Sequence, residues 1–182
     1  MSASGPDDPP DARVARIAGL LRAVPDYPSA GVTFWDLTRL FADRDGFTTT
    51  IDLLAAAADG ADVVVGIEAR GFLLGAAVAR ALGLGVVPVR KAGKLPLVAA
   101  ALSYDLEYGS ATLELPAGVL GEGTRAFLVD DVLATGGTAA AAASLVRTAG
   151  ARVTGLAVVL ELAALGGRAR LDGRPVHVLL SW

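Results

Sequence analysis

Alternation of apolar strands with amphipathic helices is the feature that most constrains the fold of this chain. Segments at residues 71–83 and 138–150 carry apolar residues at helical spacing. Continuous apolar runs, which indicate buried strands, lie at residues 61–67, 86–91, 125–131, 152–162 and 176–182. This order predicts an α/β domain with a largely parallel sheet.

The segments that precede and interrupt this pattern are of different kinds. Residues 11–24 have helical spacing and end before Pro25, residues 29–37 read as irregular, and residues 44–60 predict a second helix. A polar stretch near residues 103–115 predicts a hairpin that could act as a lid.

Composition excludes several classes of function. The net charge is −3 and the only basic cluster lies near residues 89–94, which argues against a nucleic-acid-binding protein. The most apolar stretch is interrupted by Arg80, so no run reaches the ~18 residues of a membrane span. The chain has no cysteine and its first residues lack a secretory signal pattern, which fits a cytoplasmic location.

The stretch FLVDDVLATGGTAAAA, residues 127–142, carries the strongest chemical signal. Asp130 and Asp131 stand at the end of an apolar strand, where open α/β sheets bind ligands. The following loop, residues 134–138, opens a helix whose N–H groups can bind a phosphate. Carboxylates repel phosphate but accept hydrogen bonds from sugar hydroxyls, so the pair and the loop together predict a ribose-5-phosphate site. Taken alone, the acid pair could be a solvated turn.

This stretch closely resembles the phosphoribosyl-pyrophosphate (PRPP) signature of type I phosphoribosyltransferases. The resemblance implies that Asp130 and Asp131 hold the ribose hydroxyls. It assigns the 5′-phosphate to the loop of Ala134, Thr135, Gly136, Gly137 and Thr138. It also implies a type I phosphoribosyltransferase-like parallel sheet flanked by helices. Residues 1–12 would be a disordered tail and residues 13–182 one domain, with a small hood near 24–40 and a flexible lid hairpin within about 91–125.

Five further segments resemble the adenine phosphoribosyltransferase family, at residues 24–38, 66–75, 89–96, 103–109 and 161–171. The implied reaction converts adenine and PRPP to AMP and pyrophosphate in purine salvage. The family resemblance also implies Mg²⁺ carried by the substrate, without a dedicated metal site in the protein. A cytoplasmic homodimer is implied, with no nucleic-acid or membrane partner.

The base would be bound by residues of the hood and the lid. Phe34 offers a flat face for stacking, a contact that contributes about 1–3 kcal/mol per base in nucleic-acid systems. The resemblance assigns adenine to Phe34, to the backbone of Thr33 and Trp35, and to Tyr108. Without the resemblance, Phe34 and Trp35 could equally be core aromatics.

Pyrophosphate would be bound by a turn and a basic cluster. The resemblance assigns it to Glu68, Ala69, Arg70, Arg90, Lys91 and Lys94, and allows a non-proline cis bond in the turn. A guanidinium at the end of a buried strand suits bidentate contact with phosphates. The alternatives are a surface salt bridge for Arg70 and a solvated loop for the cluster.

Arg70 and Glu107 are the candidate catalytic residues. The resemblance assigns to Glu107 the stabilisation of the base as it loses or gains a proton, through a carboxylate placed at N7. On an exposed hairpin, however, such a glutamate could simply be a solubilising charge.

Some further residues are predicted to have structural functions, and two other functions for the protein stay open as alternatives. Glu161, Arg168 and Arg170 predict a surface ion network rather than chemistry, and His177 predicts a core histidine. The function could also be transfer to another purine base, or non-catalytic sensing of PRPP or purines on the same fold.

Overall fold

The computed structural model describes residues 10–105 and 110–182. The chain divides into two compact units, the first ending at Leu53 and the second beginning at Leu54. The assignment of residues 13–182 to one domain stays a prediction, and residues 1–9 lie outside the described residues.

The first unit combines short helices with a two-stranded ribbon. Its elements are α1 (Pro10–Leu20), β1 (Arg22–Val24), β2 (Phe34–Asp36), α2 (Thr38–Ala42) and α3 (Arg44–Ala55), whose last residues enter the second unit. Strands β1 and β2 pair antiparallel. The fully buried side chains of this unit include Ile17, Leu37 and Leu40.

Three details of the sequence predictions for this unit differ in the structure. The first helix was expected to continue to residue 24, but it ends at Leu20 and residues 22–24 form β1. The irregular segment at 29–37 contains its partner strand, and Arg22 bonds Asp36 across the ribbon at 2.9 Å. Pairing over three residues leaves too short a pattern to show in the sequence. Helix α1 begins at Pro10, so residues 10–12 are helical rather than part of a tail.

The second unit contains the sheet that the apolar runs predicted. Its helices are α4 (Gly71–Leu82) and α5 (Gly137–Thr148), and two 3₁₀ turns follow at Ala163–Leu165 and Gly167–Leu171. Its strands are β3 (Val63–Ile67), β4 (Gly85–Lys91), β5 (Val98–Asp105), β6 (Ser110–Pro116), β7 (Arg125–Leu133), β8 (Arg152–Glu161) and β9 (Val176–Ser181).

The seven strands form one mostly parallel sheet in the order β5-β6-β4-β3-β7-β8-β9. Strands β4, β3, β7, β8 and β9 run parallel to one another. Strands β5 and β6 pair antiparallel, and β6 also pairs antiparallel with β4. The predicted α/β class with a parallel sheet flanked by helices is confirmed.

Helices cover both faces of the sheet. Helix α4 approaches β3 so closely that a Cβ on Gly75 would lie 3.0 Å from the Cα of Gly66. Because side chains alternate along a strand, Val65 and Ile67 point to the other face. There they share a core with the buried alanines of α5. Small side chains therefore set the close helix–sheet packing.

The predicted hairpin is present but is less polar than expected. Leu113 and Leu115 on β6 are fully buried in the core beside α5. Residues 106–109, which include the expected turn, lie outside the described residues. The lid function of this hairpin stays a prediction. Across both described ranges, no helix has the length and hydropathy that crossing a membrane requires.

An ion pair ties the start of β3 to the start of β7. The Asp62 carboxylate accepts hydrogen bonds from the Arg125 backbone N–H at 2.8 Å and from its guanidinium at 2.7 and 3.1 Å. The Arg125 side chain, helped by its backbone N–H, lowers the pKa of Asp62 to about 2. A carboxyl with a lowered pKa stabilises the fold above its unfolded pKa of about 3.9, and this contribution is lost as pH falls.

We expect Asp62→Asn to lower the melting temperature at pH 7, because the ion pair and its hydrogen bonds weaken. The difference from the wild type should shrink as the pH falls from about 4 towards the folded pKa of about 2. Differential scanning calorimetry across this range measures it. Asp52→Asn, at an exposed position on α3, is the matched control and should change little. A constant difference between wild type and D62N down to pH 2 would contradict the prediction.

Candidate active site

A cavity of about 330 Å³ lies at the carboxyl ends of two adjacent parallel strands of the second unit. Residues 68–70, which follow β3, line one side, and residues 130–139, from β7 into α5, line another. Lys91, Tyr104 and Ala111 complete the lining. The acid pair, the loop at 134–138 and the turn at 68–70 therefore meet in one place, as a site at this edge of the sheet requires.

The two carboxylates are buried at the end of β7. Asp130 is 8% exposed and Asp131 is 7% exposed. The backbone N–H of Asp131 donates to Oδ1 of Asp130 at 2.9 Å, and Nη2 of Arg70 lies 2.5 Å from Oδ2 of Asp131. Burial raises the pKa of Asp130 well above its ordinary value, and the charge of Asp131 raises it further. Hydroxyl donors or a cation at this position would favour the ionised form.

Gly71 allows helix α4 to begin directly beside the acid pair. A Cβ at this position would lie 2.8 Å from Oδ1 of Asp130 and 2.8 Å from the carbonyl oxygen of Val129. Any larger residue would have to displace backbone. The first residue of this helix must therefore be glycine, because the packing at the site leaves no room for a side chain.

The loop at 134–138 leads from β7 into helix α5. Gly136 has φ of +80°, a conformation that favours glycine, and the helix begins at Gly137. The first N–H groups of a helix have no partner within it, so those of α5 are available to an anion. The Thr138 hydroxyl lies 3.1 Å from the hydroxyl of Tyr104 on β5. Tyr104 was not among the predicted site residues, because only the pairing of the hairpin with the sheet brings it here.

Glu68 holds the basic cluster together. Its carboxylate accepts a hydrogen bond from the Lys91 backbone N–H at 2.9 Å, pairs with the Lys94 ammonium and lies 3.5 Å from Nε of Arg90. Burial alone would raise the pKa of Glu68, but the bonds from Lys94 and Lys91 outweigh it and the pKa is lowered. Lys91 lines the cavity itself, while Arg90 and Lys94 are joined to its edge through Glu68. The Glu68–Ala69 peptide bond is cis.

The predicted base-binding segment lies in the first unit. Phe34 opens β2 and lines a cavity of about 210 Å³ together with Val24, Tyr27 and Asp36. The rings of Tyr27 and Phe34 meet edge to face, 5.3 Å apart. The assignment of Thr33, Phe34 and Trp35 to adenine stays a prediction.

Glu107 and Tyr108 lie outside the described residues, so their assigned functions stay predictions.

Two other sequence expectations are wrong. Glu161 is not part of a surface network, because it is only 6% exposed and accepts a 2.7 Å hydrogen bond from Nε of Arg168. His177 is exposed rather than in the core, since it lies on the last strand of the sheet with its ring 6.5 Å from that of Phe127. Arg170 is exposed, as expected.

The oxygen donors at the cavity fit a magnesium ion shared with a substrate. Mg²⁺ is commonly held by one or two carboxylates together with substrate phosphates, and it keeps several waters. Asp130 and Asp131 supply two adjacent carboxylates in the same cavity as the helix N-terminus. Within residues 10–105 and 110–182, no cluster of three or more acidic or histidine side chains could hold a metal by itself.

Comparison with known proteins agrees with the fold and identifies the family. Residues 45–178 match the family model described as the phosphoribosyl transferase domain, which places the chain in the class of phosphoribosyltransferases. An adenine phosphoribosyltransferase of Rhodococcus jostii is 57% identical over 166 residues, covering 91% of this chain and 94% of that protein. The chain belongs to the adenine phosphoribosyltransferase family.

Solved structures are similar as well. The adenine phosphoribosyltransferase of Thermoanaerobacter pseudethanolicus is 42% identical with a TM-score of 0.89, over 93% of this chain and 99% of that one. The enzyme of Saccharomyces cerevisiae, solved with adenine and an imino-altritol bisphosphate, is 39% identical with a TM-score of 0.87, over 93% and 99%.

We expect Gly71→Ala to destabilise the protein, because the new methyl group would overlap Asp130 and the backbone of Val129. Overpacking of this kind costs about 1–3 kcal/mol. Chemical denaturation followed by circular dichroism measures the free energy of unfolding. Gly85→Ala is the matched control, because a Cβ there would contact nothing within 4 Å. Equal stability of the two variants would show that α4 can move away from the acid pair at no cost.

Proposed function

We propose that this protein transfers the phosphoribosyl group of PRPP to adenine, forming AMP and pyrophosphate. The bond between C1′ and the pyrophosphate oxygen breaks, and the bond between C1′ and N9 of adenine forms. The pyrophosphate leaves with the electron pair of the broken bond, and the base loses the proton of its imidazole ring. Supply of AMP from a free base is a salvage reaction.

One observation carries this proposal: the acid pair and the helix N-terminus line the same cavity. A ribose-5-phosphate needs an anion site and hydroxyl acceptors a few ångströms apart, and few other ligands need both. Asp130 and Asp131 would accept hydrogen bonds from the 2′- and 3′-hydroxyls. The N–H groups of residues 135–138 and the hydroxyls of Thr135 and Thr138 would bind the 5′-phosphate.

Arg70 and the basic cluster would neutralise the leaving pyrophosphate. Arg70 is paired with Asp131 in the free protein, and its side chain is 31% exposed, so it has room to turn. Release of Asp131 towards the ribose hydroxyls would free the guanidinium for pyrophosphate. Lys91 lines the same cavity, and Glu68 would keep Arg90 and Lys94 close to it. Positive charge placed where negative charge develops lowers the barrier to bond breaking.

Glu107 would assist the loss and the return of the proton of the base. A carboxylate near N7 would stabilise adenine as N9 attacks and loses its proton, and in the reverse direction it would return a proton to the leaving base. Closure of the hairpin would exclude water, which would otherwise compete with adenine for the reacting carbon. The family resemblance supports this assignment, together with that of Tyr108 to the bound base.

Thr33, Phe34 and Trp35 would select adenine. The Phe34 ring would stack on the purine, and the backbone C=O and N–H of its neighbours would pair with the N6 donor and N1 acceptor. Hypoxanthine presents an oxygen in place of the amine, so a backbone carbonyl would face another acceptor. A buried polar group without a partner costs about 1–3 kcal/mol, enough to discriminate between the bases.

Magnesium, the assembly and the location complete the proposal. Bound by the pyrophosphate and ribose oxygens next to Asp130 and Asp131, Mg²⁺ would offset the charge of the leaving group. We also propose a cytoplasmic homodimer, which the family resemblance supports. Exposed apolar side chains of the second unit, Leu73, Val86 and Leu97 among them, are suited to covering by a second copy.

The proposed function is tested by incubating the full chain with PRPP and Mg²⁺ and with adenine, hypoxanthine or guanine in parallel. We expect AMP and pyrophosphate to form in equal amounts from adenine, with the other bases at least about fivefold slower, as one unpaired polar group predicts. Liquid chromatography of the nucleotides and a pyrophosphate assay measure the products.

Each of the other outcomes has a definite meaning. Turnover with an oxopurine would keep the PRPP site and overturn the assignment of residues 33–35. PRPP binding with no turnover of any base would favour the non-catalytic sensor.

We expect Glu107→Gln to lower kcat by about 10²-fold, the lower end of what general acid–base groups contribute. The KM for PRPP should change little, because the carboxylate serves the base rather than the phosphates. Steady-state kinetics at saturating adenine separate the two parameters. Glu122→Gln, an exposed glutamate before β7, is the matched control. Full activity of E107Q with normal binding would remove Glu107 from the mechanism and leave the proposed reaction intact.

A further inference from the structure

The backbone of Gly167 lies directly against the loop at residues 134–136. A Cβ on Gly136 would lie 2.3 Å from the carbonyl oxygen of Gly167. A Cβ on Gly167 would lie 2.3 Å from the carbonyl oxygen of Ala134 and 2.9 Å from the nitrogen of Gly136. The two segments therefore touch backbone to backbone, and neither position has room for a side chain.

The segment that carries Gly167, residues 162–171, is attached to the sheet at both of its ends. At the end of β8, the backbone N–H of Leu162 donates to the carbonyl oxygen of Leu133 at 2.9 Å. The backbone N–H of Ala163 donates to the carbonyl oxygen of Trp182 at 2.7 Å. At its other end the Leu171 side chain is buried in the main core. The segment is thus anchored to the same strand end, Leu133, from which the 134–138 loop departs.

Arg168 provides a third attachment, next to the contact itself. Its Nε donates to Oε1 of Glu161 on β8 at 2.7 Å, and its Nη1 donates to the carbonyl of Val176 on β9 at 3.1 Å. Glu161 is buried, so loss of its partner would leave a carboxylate uncompensated in the core. An ion pair between the half-exposed Arg168 and the buried Glu161, next to Gly167, therefore attaches this turn to β8, and the bond to Val176 attaches it to β9.

We propose that Gly167 and Arg168 are positioning residues for the 5′-phosphate, acting through the 134–138 loop. The inference rests on the proposed function, because it assigns that loop to the phosphate of PRPP and AMP. Among the described residues that line the cavity, none belongs to the 162–171 segment, so this segment acts without touching the ligand. The backbone of this segment packs against the 134–138 loop on the side away from the cavity. It thereby keeps the first N–H groups of α5 directed at one point.

The affinity ratio of AMP to adenosine isolates this effect, because the two ligands differ only in the 5′-phosphate. For Arg168→Gln we expect the affinity for AMP to fall about tenfold, which corresponds to about 1.4 kcal/mol, while that for adenosine is unchanged. The KM for PRPP should rise with little change in kcat. Isothermal titration calorimetry and steady-state kinetics give these values. Arg170→Gln is the matched control, since it removes the same charge from an exposed position of the same turn.

Gly167→Ala tests the contact independently of the ion pair. Its new methyl group would push against Ala134 and Gly136, so we expect the same selective loss for AMP. Gly85→Ala, with open space around its Cβ, is the control. The G167A variant also keeps the test intact should R168Q fail to fold, and circular dichroism verifies the fold of each variant.

The outcomes separate the inference from the proposed function. A wild-type protein that binds AMP no more tightly than adenosine would overturn the proposed phosphate site, and the inference with it. Strong discrimination in the wild type that persists in both R168Q and G167A would overturn the inference alone. Equal weakening of AMP and adenosine would also overturn it, because a general loss of structure does not single out the phosphate.

Discussion

Burial of two adjacent carboxylates at the end of β7 is the constraint on which the site depends. Like charges in a poorly solvated position destabilise a fold unless donors or cations lie beside them. Here Asp130 accepts a backbone N–H, and Asp131 pairs with Arg70 from the neighbouring strand end. The parallel register of β3 and β7 brings these groups together, so the same geometry that solves the burial problem also forms the cavity.

Glycines let the surrounding backbone come close enough to complete that cavity. At Gly71, helix α4 begins against Asp130, and at Gly136 the loop turns into α5 while resting on Gly167. In each case a side chain would occupy the space that a neighbouring backbone now fills. Both helices therefore begin at the cavity because of backbone contacts, and the orientation of the first N–H groups of α5 follows from this packing rather than from side chains.

The sheet could be predicted because its strands are continuous apolar runs, and the acid pair because its position relative to a strand end is a local property. Features that depend on distant partners were missed. The burial of Glu161 depends on Arg168, which a 3₁₀ turn folds back onto it. Tyr104 reaches Thr138 only through hairpin pairing. His177 was placed in the core because its strand is apolar, but β9 is the last strand of the sheet and His177 is exposed on it.

Charges around the cavity are paired before any substrate arrives. Arg70 holds Asp131, and Glu68 holds Lys94, so the field that a phosphate meets is partly neutralised. Binding of pyrophosphate alone would draw Arg70 away and leave the buried Asp131 without its cation. In the proposed reaction, a ligand that also brings ribose hydroxyls would compensate both groups at once, since the hydroxyls would replace the guanidinium at the carboxylate. This exchange of partners would favour the complete phosphoribosyl compound over its fragments, and it would follow from the same buried pair that shapes the site.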